Sequence, residues 1–230
     1  MMKMKATLLV PVAALWLGSS AAFAEEEAAR ATFGLQFQGL TYSSIVEKGK
    51  VGDEKEEKVS TTGIQTFPLA DSYAWITHGN YNVYFSPFQD DSRNIGLSYL
   101  LNDKIELGSY FQYTSLSIKE SKDKASGLAV APFVIYYQHV GPFDSENIFS
   151  LGVGQTSGES VANDVKTKTS SSSTKFSYEL YLVRELAKNF YITHGLFAES
   201  ASGEKKSGDI KTKTSDTTLI LRLVGFRVSL

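Results

Sequence analysis

The sequence predicts an all-β chain: a closed, antiparallel, up-and-down transmembrane β-barrel of about ten strands. Three observations predict it. From Ala31 onward, apolar and polar residues alternate with a period of two, which marks strands with one apolar and one polar face. Short turns alternate with long charged connections, as they must when strands cross a membrane with small turns on one side and large loops on the other. Aromatic residues make up 12% of the chain, as 14 Phe, 12 Tyr and 2 Trp, and such residues favour a pleated, half-buried surface.

Residues 1–24 read as a secretory signal. Lys3 and Lys5 supply the positive start, Ala6 to Gly18 an apolar run, and Ala22-Phe23-Ala24 a small-residue cleavage site. Residues 25–30 form a short N-terminal segment, and 31–230 the barrel domain. The apolar run is shorter than a bilayer span, and no later stretch approaches about 20 apolar residues, so no transmembrane helix is expected.

The strands are predicted at 31–45, 59–67, 74–86, 93–101, 104–118, 127–140, 147–157, 175–186, 189–200 and 217–230. In the first, Phe33, Leu35 and Phe37 alternate with Gly34, Gln36 and Gln38. In 93–101 and 104–118, Ile95, Leu97, Tyr99, Ile105, Leu107 and Phe111 share the apolar phase, while Glu106, Tyr110 and Gln112 share the polar one. In 175–186, Phe176, Tyr178, Leu180 and Leu182 oppose Ser177, Glu179 and Tyr181. The segment 59–67 has little apolar weight. If 46–92 were one large external loop instead, eight strands would remain. Ten is favoured because 74–86 alternates well and needs a partner beside it. Pro132 lies inside 127–140, and a closed barrel has no free edge to absorb a missing N–H, so a bulge or local break is expected there.

Short turns fall at 101–103, 141–146 and 186–189. Long Ser/Thr/Gly-rich charged segments fall at 46–58, 119–126, 158–174 and 201–215. The absence of cysteine excludes a disulfide scaffold, a thiol nucleophile and a thiolate metal site. A net charge of −2 gives no basic field for nucleic acid.

With these features in place, the chain resembles the small bacterial outer-membrane β-barrels, the broad group that includes OmpA-, OmpX- and OmpW-type proteins. The residues carrying the resemblance are the signal peptide, the strand–turn–strand unit IGLSYLLNDKIELGSYFQY (95–113) and the terminal LILRLVGFRVSL. Such barrels usually end in an aromatic residue read by the assembly machinery. Here the chain ends in Leu230, while Val224, Phe226 and Val228 keep the alternating spacing. The resemblance implies a bacterial outer-membrane location, with long loops extracellular and short turns periplasmic. It also implies outer-membrane lipid, lipopolysaccharide and the barrel-assembly machinery as partners, a monomer, and no cofactor.

Two of the three histidines sit in the same frame, WITHGNY at 75–81 and YITHGLF at 191–197. If the aromatic phase faces lipid, Trp75, Tyr81, Tyr191 and Phe197 point outward and His78 and His194 into the lumen. For His194 the other phase is also open, because Phe190, Ile192 and Leu196 are apolar. The expected lumen polar cluster is Glu179, His194 and Arg222, with His78 and Glu106 also inside. A lumen charge can pair, whereas Arg on the lipid face costs about 2–4 kcal/mol at the midplane.

No nucleophile elbow and no helical zinc motif is present, so neither catalytic nor metal-binding residues are assigned. GVGQTSG at 152–158 reads as a strand running into a loop. The repeated DVKTKTS (164–170) and DIKTKTS (209–215) suggest hairpins that continue as strands beyond the membrane. They place Lys166, Lys168, Lys211 and Lys213 in the external region, as a solvated hairpin or as a cationic collar for phosphates. The expected role is structural or surface-interactive, with a lumen plugged by polar side chains. A small-solute pore is the first alternative and a lipid-modifying outer-membrane enzyme the second.

Overall fold

The computed structural model describes residues 31–51, 57–66, 72–86, 92–118, 123–162 and 165–230. The signal peptide and residues 25–30 lie outside the described residues, as do parts of the segments 46–58 and 119–126. The strands are β1 (Thr32–Val51), β2 (Glu57–Thr66), β3 (Tyr73–His78), β4 (Tyr81–Phe85), β5 (Ser92–Asn102) and β6 (Ile105–Ile118). They continue as β7 (Asp123–Val140), β8 (Phe143–Ala162), β9 (Val165–Ala187), β10 (Phe190–Ser207) and β11 (Ile210–Ser229).

From β3 onward each strand pairs antiparallel with the next, and β11 pairs with β1, so the sheet closes on itself. On its other side β1 has two partners: β2 along Leu40 to Gly49, and β3 along Thr32 to Gln36. Eleven strands therefore fill ten places in the ring. The difference from the expected strands lies in 74–86, which is a hairpin and not one crossing. Gly79 adopts φ +56°, a conformation open to glycine at little cost, and Asn80 completes the two-residue turn. WITHGNY is thus a turn between β3 and β4, whereas YITHGLF runs through the interior of β10.

The alternation places apolar side chains outward. Ile95, Leu97, Phe149, Leu151, Leu219, Leu221 and Leu223 are all exposed, while Gln36, Gln38, Glu106, Thr193 and Arg222 are buried. Polar-in and apolar-out is the reverse of a water-soluble barrel. On β11 the outward apolar face runs from Val228 to Leu219. Nine steps of about 3.3 Å, tilted by about 40°, span about 23 Å, which matches the roughly 25 Å apolar band of a membrane barrel.

Two irregularities follow from the sequence. At Pro132, β7 stays paired with β6 through Ser109, but its pairing with β8 lapses between Val130 and Phe133 without a change of register. This is the local break expected where an N–H is missing. On β11, Thr193 pairs with Gly225 and Gly195 with Arg222, so His194 alone faces Leu223 and Val224. The β1 side slips at the same level, and Leu223 has no ladder partner there either. The strand carries a bulge whose carbonyl must find another donor.

The repeated lysine segments are strand, as expected. Val165 to Ser170 belong to β9, and Ile210 to Ser215 to β11. GVGQTSG lies wholly within β8.

Candidate functional site: the floor of the lumen

The inward residues near the short-turn end form three linked groups. In the first, the Arg227 guanidinium grips Glu146 with two bonds, 2.5 Å to Oε1 and 2.7 Å to Oε2. Its Nε donates to Gln36 Oε1 at 2.8 Å, and its Nη2 donates to the Tyr73 hydroxyl at 3.3 Å. The guanidinium lies 5.3 Å from the Trp75 ring centroid. This fork geometry is the strong form of an ion pair. Gly34 permits it, because a Cβ there would overlap the Trp75 indole.

In the second group Arg222 pairs with Glu179. The Tyr181 hydroxyl donates to Glu179 Oε1 at 2.7 Å. Arg222 also lies 4.9 Å from the Tyr181 ring centroid and 5.6 Å from that of Phe197. In the third group Glu106, 1% exposed, accepts from three hydroxyls: Tyr84 at 2.6 Å, Tyr137 at 2.5 Å, and Ser98. Tyr73 joins the groups. Its hydroxyl donates to Gln36 Oε1 at 3.1 Å, and its ring stands edge-on to Tyr84 at 6.4 Å and Tyr181 at 6.3 Å. Taking these charges out of water is costly, and the pairing and hydroxyl donors offset that cost.

The lumen holds a cavity of about 920 Å³ whose lining runs from these groups, Tyr73, Glu106, Glu146, Arg222 and Arg227 among them, up to Gln112, Gln155, Ser173, Lys175 and Glu199. Its β7–β8 wall is built from small side chains, with Gly127, Ala129, Gly152 and Gly154 facing the space.

Of the predicted cluster, Glu179 and Arg222 meet. Glu106 is inside, but on another part of the wall with its own hydroxyl partners. His194 is a correction. It lies on the outward face, and its Nδ1–H donates to the Leu223 carbonyl at 2.6 Å, with the Phe143 ring edge-on at 6.3 Å. The bulge explains this, because an unpaired carbonyl on the apolar face would cost several kcal/mol, roughly, and the imidazole satisfies it. His78 is a second correction. Tyr73, Trp75 and Thr77 line the cavity, so alternation puts His78 on the opposite face. Trp75 and Phe197, expected outward, line the lumen.

Arg227 and Glu146 join the site from outside the expected cluster. Arg227 sits between the outward Phe226 and Val228, so alternation alone turns it inward. Glu146 falls in the segment 141–146 expected as a turn, whereas the turn ends at Pro142 and β8 begins at Phe143.

Three of the external lysines lie on the outer face of the strand extensions. Lys168, Lys211 and Lys213 are exposed, and Lys211 Nζ stands 3.7 Å from Glu204. Lys166 lies in β9, opposite Val161 of β8.

Together the closed ring, the outward apolar band and the inward ion pairs define a transmembrane β-barrel with a charged, polar lumen. No family model matches the chain, and no curated protein matches it. Among solved structures, the chain is similar to the outer membrane protease OmpT of Escherichia coli, at 8% identity over 90% of this chain and 99% of that one, TM-score 0.44. It is similar to the outer membrane protein OprG of Pseudomonas aeruginosa, at 13% identity over 90% and 99%, TM-score 0.38. It is also similar to Ail, the attachment invasion locus protein of Yersinia pestis, at 14% identity over 84% and 98%, TM-score 0.31. The barrel is established by the ring of strands and not by these likenesses.

Proposed function

We propose that the chain is an integral outer-membrane barrel with a structural or surface-interaction role, its lumen closed by polar side chains. The observation that carries this reading is the pair of lumen ion pairs, Arg227–Glu146 and Arg222–Glu179, joined through Tyr73 and Tyr181. Barrels of about this size are filled largely by their own side chains. Reconstituted into a planar bilayer, the wild-type protein gives no stepwise conductance, and R227A/E146A and R222A/E179A open it. Stepwise conductance from the wild type would overturn the closed-lumen reading.

Passage of a small solute is the second reading, favoured by the lumen cavity of about 920 Å³, whose lining reaches from Asp103 and Arg227 near the short turns to Gln155 and Ser173 higher up. Under it the wild type conducts, and the charge-removing variants change its ion selectivity. The chain is read as non-enzymatic. Lipid A and phospholipid compositions that are unchanged in cells carrying His78→Ala or His194→Ala would retire the lipid-modifying alternative.

In this reading the short turns face the periplasm and the long connections the exterior. The chain contains no cysteine, so single cysteines at Ser207 and Lys188 report orientation directly. In intact cells a membrane-impermeant maleimide labels the first and spares the second.

A further inference from the structure

The outer surface of the strand extensions carries lysines in an arrangement that the sheet itself disfavours. Lys206 of β10 lies directly opposite Lys211 of β11. Lys213 of β11 lies directly opposite Lys50 of β1. On the other side of β1, Lys48 faces Lys58 of β2. Directly opposed residues share one face of an antiparallel pair, and like charges in that position repel. All of these residues are exposed. Glu204 is the acid set among the first four ammonium groups, 3.7 Å from Lys211 and opposite Lys213. A fold that places three lysine pairs in register on neighbouring strands concentrates positive charge on one side of the barrel.

The height of this patch narrows its partner. On β11 the last outward leucine is Leu219, and Thr217 and Ser215 follow before Lys213. Six steps of about 3.3 Å at a tilt of about 40° put Lys213 about 15 Å above the apolar band. The headgroup layer of a phospholipid leaflet adds only about 5–8 Å to the hydrocarbon core. Phospholipid phosphates therefore lie well below the patch. On β11 and β10 this interval carries outward hydroxyls, Thr217 and Ser215 with Ser200 and Ser202, groups that hydrogen-bond sugar, while β1 places Val46 and Lys48 at the levels of Thr217 and Ser215.

We propose that the lysine pairs of β10, β11 and β1 bind the phosphates of a phosphorylated saccharide carried by a membrane glycolipid, with the Ser/Thr interval against its inner sugars. The inference rests on the outward orientation proposed above. The binding assay is run on purified protein in non-ionic detergent, so orientation does not enter it and the cysteine labelling tests orientation separately.

The full-length chain is titrated with lipopolysaccharide bearing a phosphorylated core, the same material after phosphatase treatment, phosphatidylglycerol, and inorganic pyrophosphate. The wild type binds the phosphorylated form about tenfold more tightly than the other three, and added salt weakens that binding. K50Q/K206Q/K211Q/K213Q lowers the affinity by about tenfold or more, while the matching Lys→Arg set stays within about twofold. K104Q/K188Q, at the opposite rim, leaves binding unchanged. Retained heat-modifiable migration in gels shows that each variant is folded. Equal binding of the phosphatase-treated form, of phosphatidylglycerol or of pyrophosphate would overturn the assignment to a phosphorylated saccharide. So would undiminished affinity in the Gln set.

Discussion

The lower and upper parts of the barrel share the same strands and are held in different ways. Near the short turns, Arg227, Glu146, Arg222, Glu179 and Tyr73 line the lumen with charged and aromatic side chains joined to one another. Higher up, the inward positions of β9 are Ser173, Ser171 and Thr169, and those of β11 are Thr214 and Thr212. No bulky side chain bridges the lumen from these positions. What continues is the backbone ladder, with β9 paired to β10 from Ala187 to Thr169 and β10 to β11 as far as Ser207 and Ile210. The lower part is thus specified by side chains across the lumen, and the upper part by register alone. A substitution has a large effect where it leaves a buried charge and a small one where only the ladder is at stake.

The largest effect is expected from Arg227→Ala. It leaves Glu146 in the lumen without its two charge-assisted bonds, a loss of about 3–5 kcal/mol in unfolding free energy. Urea unfolding from lipid vesicles measures it. R227A/E146A should recover part of the loss, because the stranded carboxylate is gone. If the single variant unfolds like the wild type, the two parts of the barrel do not differ in the way described.

His194→Ala comes next. The bulge at Leu223–Val224 then presents a carbonyl to the apolar face without its donor, and the loss is about 1–3 kcal/mol in the same assay. His194→Gln, which still offers an N–H, should retain most of the stability. An alanine variant as stable as the wild type would mean that the bulge closes its own hydrogen bonds.

How far these features were legible depends on whether they are local. Glu179 and Arg222 could be placed because alternation runs unbroken from Phe176 to Leu182 and from Leu219 to Arg222. Arg227 could have been placed by the same rule. The orientation of His194 could not, since both phases of 190–197 are apolar and the bulge that selects one belongs to β11, 29 residues away in sequence. The echo of WITHGNY in YITHGLF shows the same limit. Gly79 is followed by Asn80 and turns, while Gly195 is followed by Leu196 and Phe197 and stays in the strand. The ring of ten places was expected, but 59–67 and 74–78 share one place that the sequence assigned to two strands.

Gly79→Ala tests that echo. The residue has φ +56°, so a Cβ there costs about 1 kcal/mol. Gly195 is different: an added Cβ would approach the Leu180 carbonyl at 2.8 Å and the Tyr181 ring at 3.3 Å. Its loss would come from packing against β9 and not from backbone strain. D-alanine, introduced by chemical synthesis of the hairpin 73–85 and ligation, should restore stability at position 79. At position 195 the D-residue should give no such rescue, and equal rescue at both would remove the distinction.

The smallest effect carries the most specific sign. In the upper part, Lys213→Gln removes one member of the Lys50–Lys213 opposition and leaves Glu204 facing an amide. If the lysines only keep the extended hairpins soluble, relief of repulsion and loss of the neighbouring carboxylate nearly cancel, and stability stays within about 0.5 kcal/mol in every medium. If they bind phosphates, the result depends on the medium. In detergent without phosphorylated lipid the same two effects still nearly cancel, and the variant stays within about 0.5 kcal/mol of the wild type. In lipopolysaccharide-containing vesicles the wild type gains from its bound partner and the variant becomes the less stable of the two. Urea midpoints in the two media decide between the two, because a difference that appears only with the lipid cannot come from the ladder, whose backbone pairs are identical in both.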